Sequence, residues 1–293
     1  MTIVGKTTQS ASFRRNRWLL TLVLAVYFVY TFLPIWYVIT ASTKTNPDLF
    51  TSFGLWFASD FHLWQNLADL FTIQKGIFRI WLWNTFYYSL VSGLGAAVFA
   101  TMAGYAFAKY EFFGKKFIFA LVLGAVMIPQ TALVIPIFLL LSKIGLLNTP
   151  LAVILPQLVF PFGVFLMRAY IDEAISDEII DAGRVDGAGE FHIFSNLGFR
   201  LLMPGVTTVF ILAFVASWNN YFLPLVVLNS SEHFPVTVGL AQWYASAVSG
   251  SGGALLFTVV MAGALVSILP VIVAFLIMQR FWQGGLSAGG VKA

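Results

Sequence analysis

Apolar residues in this chain neither alternate nor recur on one helical face. They run on in six stretches, separated by short segments that hold nearly all the charge. The stretches cover residues 18–42, 82–108, 117–141, 146–167, 201–228 and 254–278, and none contains Asp, Glu, Lys, Arg or His. At ~1.5 Å rise per residue, helices of this length exceed the ~30 Å hydrocarbon core of a bilayer even when tilted. Lipid offers no water to an unpaired backbone group, so such stretches must be helical; barrel strands would be shorter and would alternate. The pattern predicts an all-α polytopic membrane protein with six transmembrane helices. A secretory leader has an apolar core of only ~7–15 residues followed by a small-residue cleavage site. The first stretch is longer, contains Pro34 and ends in Thr40-Ala41-Ser42-Thr43, so it reads as a retained helix.

Composition agrees with this reading: 59% of the 293 residues are hydrophobic and 10% are charged, against about 25% charged in soluble domains. The basic residues then set an orientation. One set of connections holds Lys6, Arg14, Arg15, Arg17, Lys109, Lys115, Lys116, Arg168, Arg184, Arg200, Arg280 and Lys292; the other holds Lys44, Lys75, Arg79 and Lys143. The excess flanks both ends, which predicts that both termini are cytoplasmic. The net charge of +4 is therefore an orientation signal and not a nucleic-acid footprint. The expected organisation is a cytoplasmic tail 1–17, a first helix 18–42 and an extracytoplasmic loop 43–80. A five-helix core 81–280 follows, containing a cytoplasmic loop 168–200, and then a cytoplasmic tail 281–293. The Ser-Gly-Ser-Gly-Gly stretch at 249–253 reads as a flexible turn.

With no cysteine, the chain has no disulfide, thiolate metal site or cysteine nucleophile. His62, His192 and His233 are scattered over both sides of the expected membrane and form no metal or triad pattern. Spans without ionisable groups weigh against proton coupling, which needs a place for the proton to reside. The spans do hold Asn84, Tyr88, Gln130, Trp218, Asn219, Asn220 and Tyr221. Amides for hydroxyls and aromatic faces for the apolar side of a ring suit a neutral, polyhydroxylated solute. The same residues also suit helix contacts or an interfacial aromatic belt. Gly and Pro recur inside the spans, as they do where broken helices line a cavity.

The loop after the fourth stretch carries the strongest chemical pattern. Seven of the chain's twelve acidic residues lie in it. Ser176 followed by Asp177 and Glu178 marks a helix start, a cap and then acids at the positive end of the dipole. Ile179, Ile180 and Ala182 give that helix an apolar side, and Gly183, Gly187 and Gly189 permit a sharp bend. Phe191, Ile193, Phe194 and Leu197 then fall near the spacing of a second apolar helix face. A short amphipathic helix exposed beside the membrane needs a surface to cover it. Asp181, Asp186 and Glu190 disfavour an anionic lipid leaflet, which leaves a protein partner.

The run Asp181-Ala182-Gly183-Arg184-Val185-Asp186-Gly187-Ala188, continued by Phe191-x-Ile193-Phe194, resembles the EAA motif of ABC-importer permeases, Glu-Ala-Ala-x-x-Asp-Gly-Ala. Two further stretches narrow the resemblance to the MalG-like permease subunits of maltose-type carbohydrate importers. They are Ser217-Trp218-Asn219-Asn220-Tyr221-Phe222-Leu223-Pro224-Leu225 and Gly285-Leu286-Ser287-Ala288-Gly289-Gly290-Val291-Lys292. The chain departs from the motif in Asp181 for Glu, Gly183 for the second Ala, and Arg200 for a first Pro; Pro204 keeps the second.

This resemblance implies a type I importer fold in a bacterial cytoplasmic membrane. It also implies a second homologous permease subunit, two copies of a cytoplasmic ATPase, an extracytoplasmic solute-binding protein and a sugar as cargo. The chain itself would be non-catalytic and bind no cofactor; ATP and magnesium would sit on the ATPase subunits, since no Gly-x-x-x-x-Gly-Lys-Ser/Thr loop is present. Asp181, Ala182, Gly183, Asp186, Gly187, Ala188, Phe191 and Phe194 would contact the ATPase, with Phe191 and Phe194 as apolar anchors and Asp181 paired to a partner base. The tail 283–293 would reach the same interface. The rival readings are a solute carrier that works alone on an ion gradient, and a scaffold that recruits a cytoplasmic protein through the same loop.

Overall fold

The computed structural model describes residues 9–250 and 256–286, and among them every regular element is helical. In chain order these are α1 (Gln9–Ser42), α2 (Asn46–Thr51), α3 (Leu63–Thr72), α4 (Ile77–Lys109), α5 (Lys115–Val126), α6 (Val134–Lys143) and α7 (Pro150–Gln157). They continue with α8 (Pro161–Ala174), α9 (Asp177–Val185), α10 (Glu190–His192), α11 (Phe199–Trp218), α12 (Phe222–Val227), α13 (Val236–Val248) and α14 (Leu256–Leu286). Residues 1–8 of the tail, part of the 249–253 turn and the end of the Gly285–Lys292 stretch lie outside the described residues.

Five segments are long and apolar enough to cross a membrane: Trp18–Ser42, Leu63–Lys109, Pro150–Ala174, Leu201–Trp218 and Phe257–Gln279. The stretch expected as one helix over 117–141 is instead broken. Lys115–Val126 and Gln130–Lys143 meet at 100°, so a sixth crossing exists only as a bent pair. Pro129 sits at this break, where its missing N–H and its ring disfavour continuing the helix. The twelve residues of α5 extend about 18 Å, well short of the hydrocarbon core. The stretch at 201–228 likewise ends as a helix at Trp218 and restarts at Phe222, and the stretch at 146–167 breaks between Gln157 and Pro161. Pro34, Pro204 and Pro270 stay inside continuous helices, so a proline alone does not decide the break.

The chain divides into two compact units, Met1–Leu70 with Trp243–Leu265, and Phe71–Gln242 with Val266–Ala293. In the first, the apolar side chains of α1 from Trp18 to Leu33 are exposed on every side, as expected of a surface that meets lipid or another subunit. The far end of α1 is buried: Thr40, Ala41, Ser42, Thr43 and Lys44 are at most 3% exposed. The segment that follows folds back over it. Lys44 Nζ donates to Phe53 O at 2.8 Å, Asn66 Nδ2 to Ser42 O and Lys44 O at 2.8 and 2.9 Å, and Trp36 Nε1 to Leu55 O at 3.0 Å. Residues 43–66 of the expected loop thus form an ordered cap on this end of α1.

The second unit is built on α4, which packs against α8 and α11. Its contact ridge is made of small residues, Gly93, Ala96, Ala97, Ala100 and Gly104, so neighbouring backbones approach closely, as helices in lipid must when no hydrophobic drive separates them from solvent. A Cβ on Gly104 would lie 2.7 Å from Met167 Cβ and 2.9 Å from Arg168 N; one on Gly163 would lie 2.9 Å from Val209 Cγ1 and 3.1 Å from Ala100 Cβ. Ala97, Ala100, Tyr105, Met167, Ile171, Leu202 and Val209 form the core at that end, and Ile175, Ile180 and Ile193 join it from beyond α8.

Candidate functional site

The EAA-type segment is a helix, a left-handed turn and a second short helix, moored to the core at both ends. Ile180 on α9 and Ile193 just after α10 are 3% and 1% exposed and insert into the same cluster. Between them α9 closes with a Schellman motif: Ala188 N donates to Gly183 O and Gly187 N to Arg184 O, both at 3.0 Å, with Gly187 at φ +77°. No atom lies within 4 Å of a Cβ built on Gly187 or Gly189. Gly187 is therefore required by backbone conformation and not by crowding. Its neighbours Gly183, Asp186, Ala188, Gly189 and His192 line a shallow concavity around the turn.

The expected anchors separate. Phe191 is 79% exposed. Phe194 is half-buried and packs edge-on against Tyr105 at 5.0 Å, beside the bundle core. Val185, which the motif leaves unspecified, is 87% exposed. At about 100° per residue it lies roughly 140° around α9 from the buried Ile180, so helical geometry does distinguish it. Val185 and Phe191 flank the Gly187 turn as bare apolar side chains. Nothing polar in the sequence marks them.

Asp177, Asp181, Arg184 and Glu190 are engaged within the chain. Arg184 reaches Glu190 Oε1 with Nε at 2.7 Å and Asp181 Oδ1 with a terminal nitrogen at 3.2 Å. Tyr110 OH donates to the other Glu190 oxygen at 2.8 Å, and Lys109 Nζ to Asp177 Oδ1 at 2.8 Å. Asp181, expected to face a partner base, thus has an internal partner while remaining exposed. The Arg184 and Tyr110 bonds hold the Glu190 carboxyl below its ordinary range, and Glu190 in turn holds Arg184 up. Burial first, and the Glu190 bond second, push Tyr110 up to about 12. The Lys109 bond lowers Asp177. Ser176 has the extended backbone of a cap but makes no capping bond to the backbone; its hydroxyl lowers Glu178 instead.

At the opposite end of α4, two of the residues expected along a solute pathway are used internally. Asn84 Nδ2 donates to Glu232 O and Phe234 O at 2.7 and 3.1 Å, and Tyr88 OH to His233 O at 2.9 Å. Trp81 Nε1 joins them on Ser231 O at 2.8 Å, and Thr85 Oγ1 accepts from Val236 N at 2.7 Å. One face of α4 thus clasps the backbone of residues 231–236. The neighbouring turn is fixed by Asn148, at φ +59°, whose Oδ1 accepts from Asn229 N and Ser230 N at 2.9 Å. Trp218 is 3% exposed and donates to Ser267 O. Gln130, Asn219 and Tyr221 are exposed, and Asn220 is half-buried with its carbonyl held by Thr237 Oγ1 at 2.8 Å. All four lie at breaks between helices. No group of three or more potential metal ligands occurs among the described residues.

Comparison with known proteins agrees with this architecture. Residues 96–284 match the family described as binding-protein-dependent transport system inner membrane component. The chain is 35% identical to the arabinooligosaccharides transport system permease protein AraQ of Halalkalibacterium halodurans, over 94% of this chain and 96% of that one. It is 33% identical to the lactose transport system permease protein LacG of Rhizobium radiobacter, over 78% and 81%. Its fold is that of a chain in the crystal structure of a bacterial ABC transporter involved in the import of the acidic polysaccharide alginate, with a TM-score of 0.79 at 22% identity over 96% of this chain and 100% of that one. A bundle of apolar spans carrying an EAA-type segment, with close relatives along nearly its whole length, is a non-catalytic, multi-pass permease subunit of a bacterial ABC transporter; the chain belongs to the family of binding-protein-dependent transport system inner membrane components.

Proposed function

We propose that this chain forms half of the pathway of an ATP-driven sugar or oligosaccharide importer and takes up the motion of a cytoplasmic ATPase through residues 177–197. The observation that carries the coupling role is the pair Val185 and Phe191, 87% and 79% exposed on either side of a rigid glycine turn. An apolar pair held out from a segment moored by Ile180 and Ile193 is built to be covered by a partner. The partners are a second related permease, two ATPase subunits that hold ATP and magnesium, and an extracytoplasmic solute-binding protein, with both termini on the ATPase side. The EAA resemblance supports the ATPase as the partner for this segment. The sugar as cargo rests on the relatives named for arabinooligosaccharides and lactose and on six apolar stretches without ionisable groups. For the pathway, Gln130, Asn219, Asn220 and Tyr221 at the helix breaks are better placed than the engaged Asn84, Tyr88 and Trp218.

Because the chain has no cysteine, Asn219→Cys and Tyr221→Cys can be read cleanly. In proteoliposomes holding the whole complex, each variant should take up labelled oligosaccharide only with ATP on the ATPase side. A thiol reagent should block that uptake, and excess oligosaccharide should protect against the block. Uptake by this chain alone without ATP, or labelling indifferent to oligosaccharide, would contradict the respective part of the reading.

A further inference from the structure

We propose that Lys109 and Tyr110 are positioning residues that latch the coupling segment to the end of α4, so that α4 receives the stroke of the ATPase directly. The inference rests on the coupling role proposed above and adds the route by which motion leaves the segment. Two adjacent residues at the C-terminal end of α4 reach two separate points of the segment. Lys109 holds Asp177, the first residue of α9, and Tyr110 holds Glu190, the first residue of α10. Glu190 passes the link to Arg184 at 2.7 Å, and Arg184 to Asp181 at 3.2 Å. The Gly187 turn is thereby spanned by a polar strap with both feet on α4.

The Lys109 side chain is 7% exposed while Asp177 is 82% exposed. Such a lysine is not a casual surface partner, because a shielded ammonium depends on its carboxylate more than a solvated one does. The two tethers add directional polar links at Asp177 and Glu190 to the apolar moorings at Ile180 and Ile193. At its other end the same 33-residue helix clasps the backbone of residues 231–236 through Trp81, Asn84, Thr85 and Tyr88. A rigid rod of about 50 Å therefore joins the coupling segment to an outer turn.

The test uses the assembled complex with its ATPase and binding protein. Each variant is assayed for basal ATPase activity, for ATPase stimulation by solute-loaded binding protein, and for cross-linking of the segment to the ATPase through a cysteine at Val185. Lys109→Met with Tyr110→Phe should keep the cross-link and basal hydrolysis while stimulation falls about tenfold, a common size for a coupling free energy. Tyr110→Phe alone, which removes one hydroxyl and leaves the packing, should lower stimulation in the same sense. Lys109→Arg should restore most of the stimulation lost in Lys109→Met, which a packing role would not explain. Lys115→Met, which breaks the neighbouring Lys115–Glu111 pair, should change nothing. A preserved cross-link with unaltered stimulation in the double variant overturns the latch. Absence of the cross-link in the otherwise unaltered chain overturns the coupling reading beneath it, so the two failures are distinct.

Discussion

Replacing Val185 and Phe191 together by aspartate should abolish solute-stimulated ATPase activity while leaving the chain folded and inserted. Both side chains are bare, so their exchange costs the isolated chain little; exposed positions tolerate such changes within about 0.5 kcal/mol. In the assembled transporter each would bury a carboxylate where an apolar group belongs. Buried anchors of an interface are worth about 2 kcal/mol or more apiece, and an unpaired buried charge costs further. Stimulation should fall by about a thousandfold or to background, since each 1.4 kcal/mol is a factor of about ten. Phe194→Asp should behave differently. Phe194 packs on Tyr105 in the core, so this change should lower the yield of folded protein before any effect on coupling can be read. Normal stimulation in the double aspartate variant would remove the segment from its role.

The second large effect lies in the bundle. Gly104→Val should prevent recovery of a folded permease, because a Cβ there would sit 2.7 Å from Met167 Cβ and 2.9 Å from the Arg168 backbone nitrogen. Neither neighbour can yield as a flexible side-chain tip would, so α4 and α8 must separate. Overpacking of this kind costs about 3 kcal/mol or more, and a helix pair in lipid has little besides close packing to hold it. Gly124→Val is the matched control. It is also a helical glycine, but no atom lies within 4 Å of its built Cβ. Thermal unfolding in detergent, followed by size-exclusion chromatography, should show Gly104→Val shifted far down and Gly124→Val near the parent. Equal stability of the two would mean that the small-residue ridge does not set the bundle's spacing.

How much of this was legible beforehand depends on what hydropathy can see. Apolar stretches without charge gave the helical class and nearly all the crossings, because lipid leaves the backbone no alternative. The breaks at Pro129 and at residues 219–221 were hidden, since hydropathy runs on across them. Pro204 and Pro270 show that a proline inside an apolar stretch does not by itself end a helix. Gly187 was readable as a turn because a glycine following a capped amphipathic helix has few other uses. Val185 was not, because the significance of an apolar residue in a polar loop depends on which way α9 is rolled, and Ile180 sets that only once it meets the core. Asn84 and Tyr88 illustrate the same limit. Their amide and phenol could serve a sugar or a backbone carbonyl, and the carbonyls they found lie 145 to 150 residues away, beyond any local pattern.

The most direct measurement is a short-spacer cross-link from Val185→Cys in the intact transporter, with the adduct identified by mass spectrometry. A covalent product with the nucleotide-binding subunit, lost when Phe191 is also changed to aspartate, is the result predicted here. Labelling of that cysteine by a membrane-impermeant thiol reagent added on the solute-binding side, with no adduct to the ATPase, would contradict it.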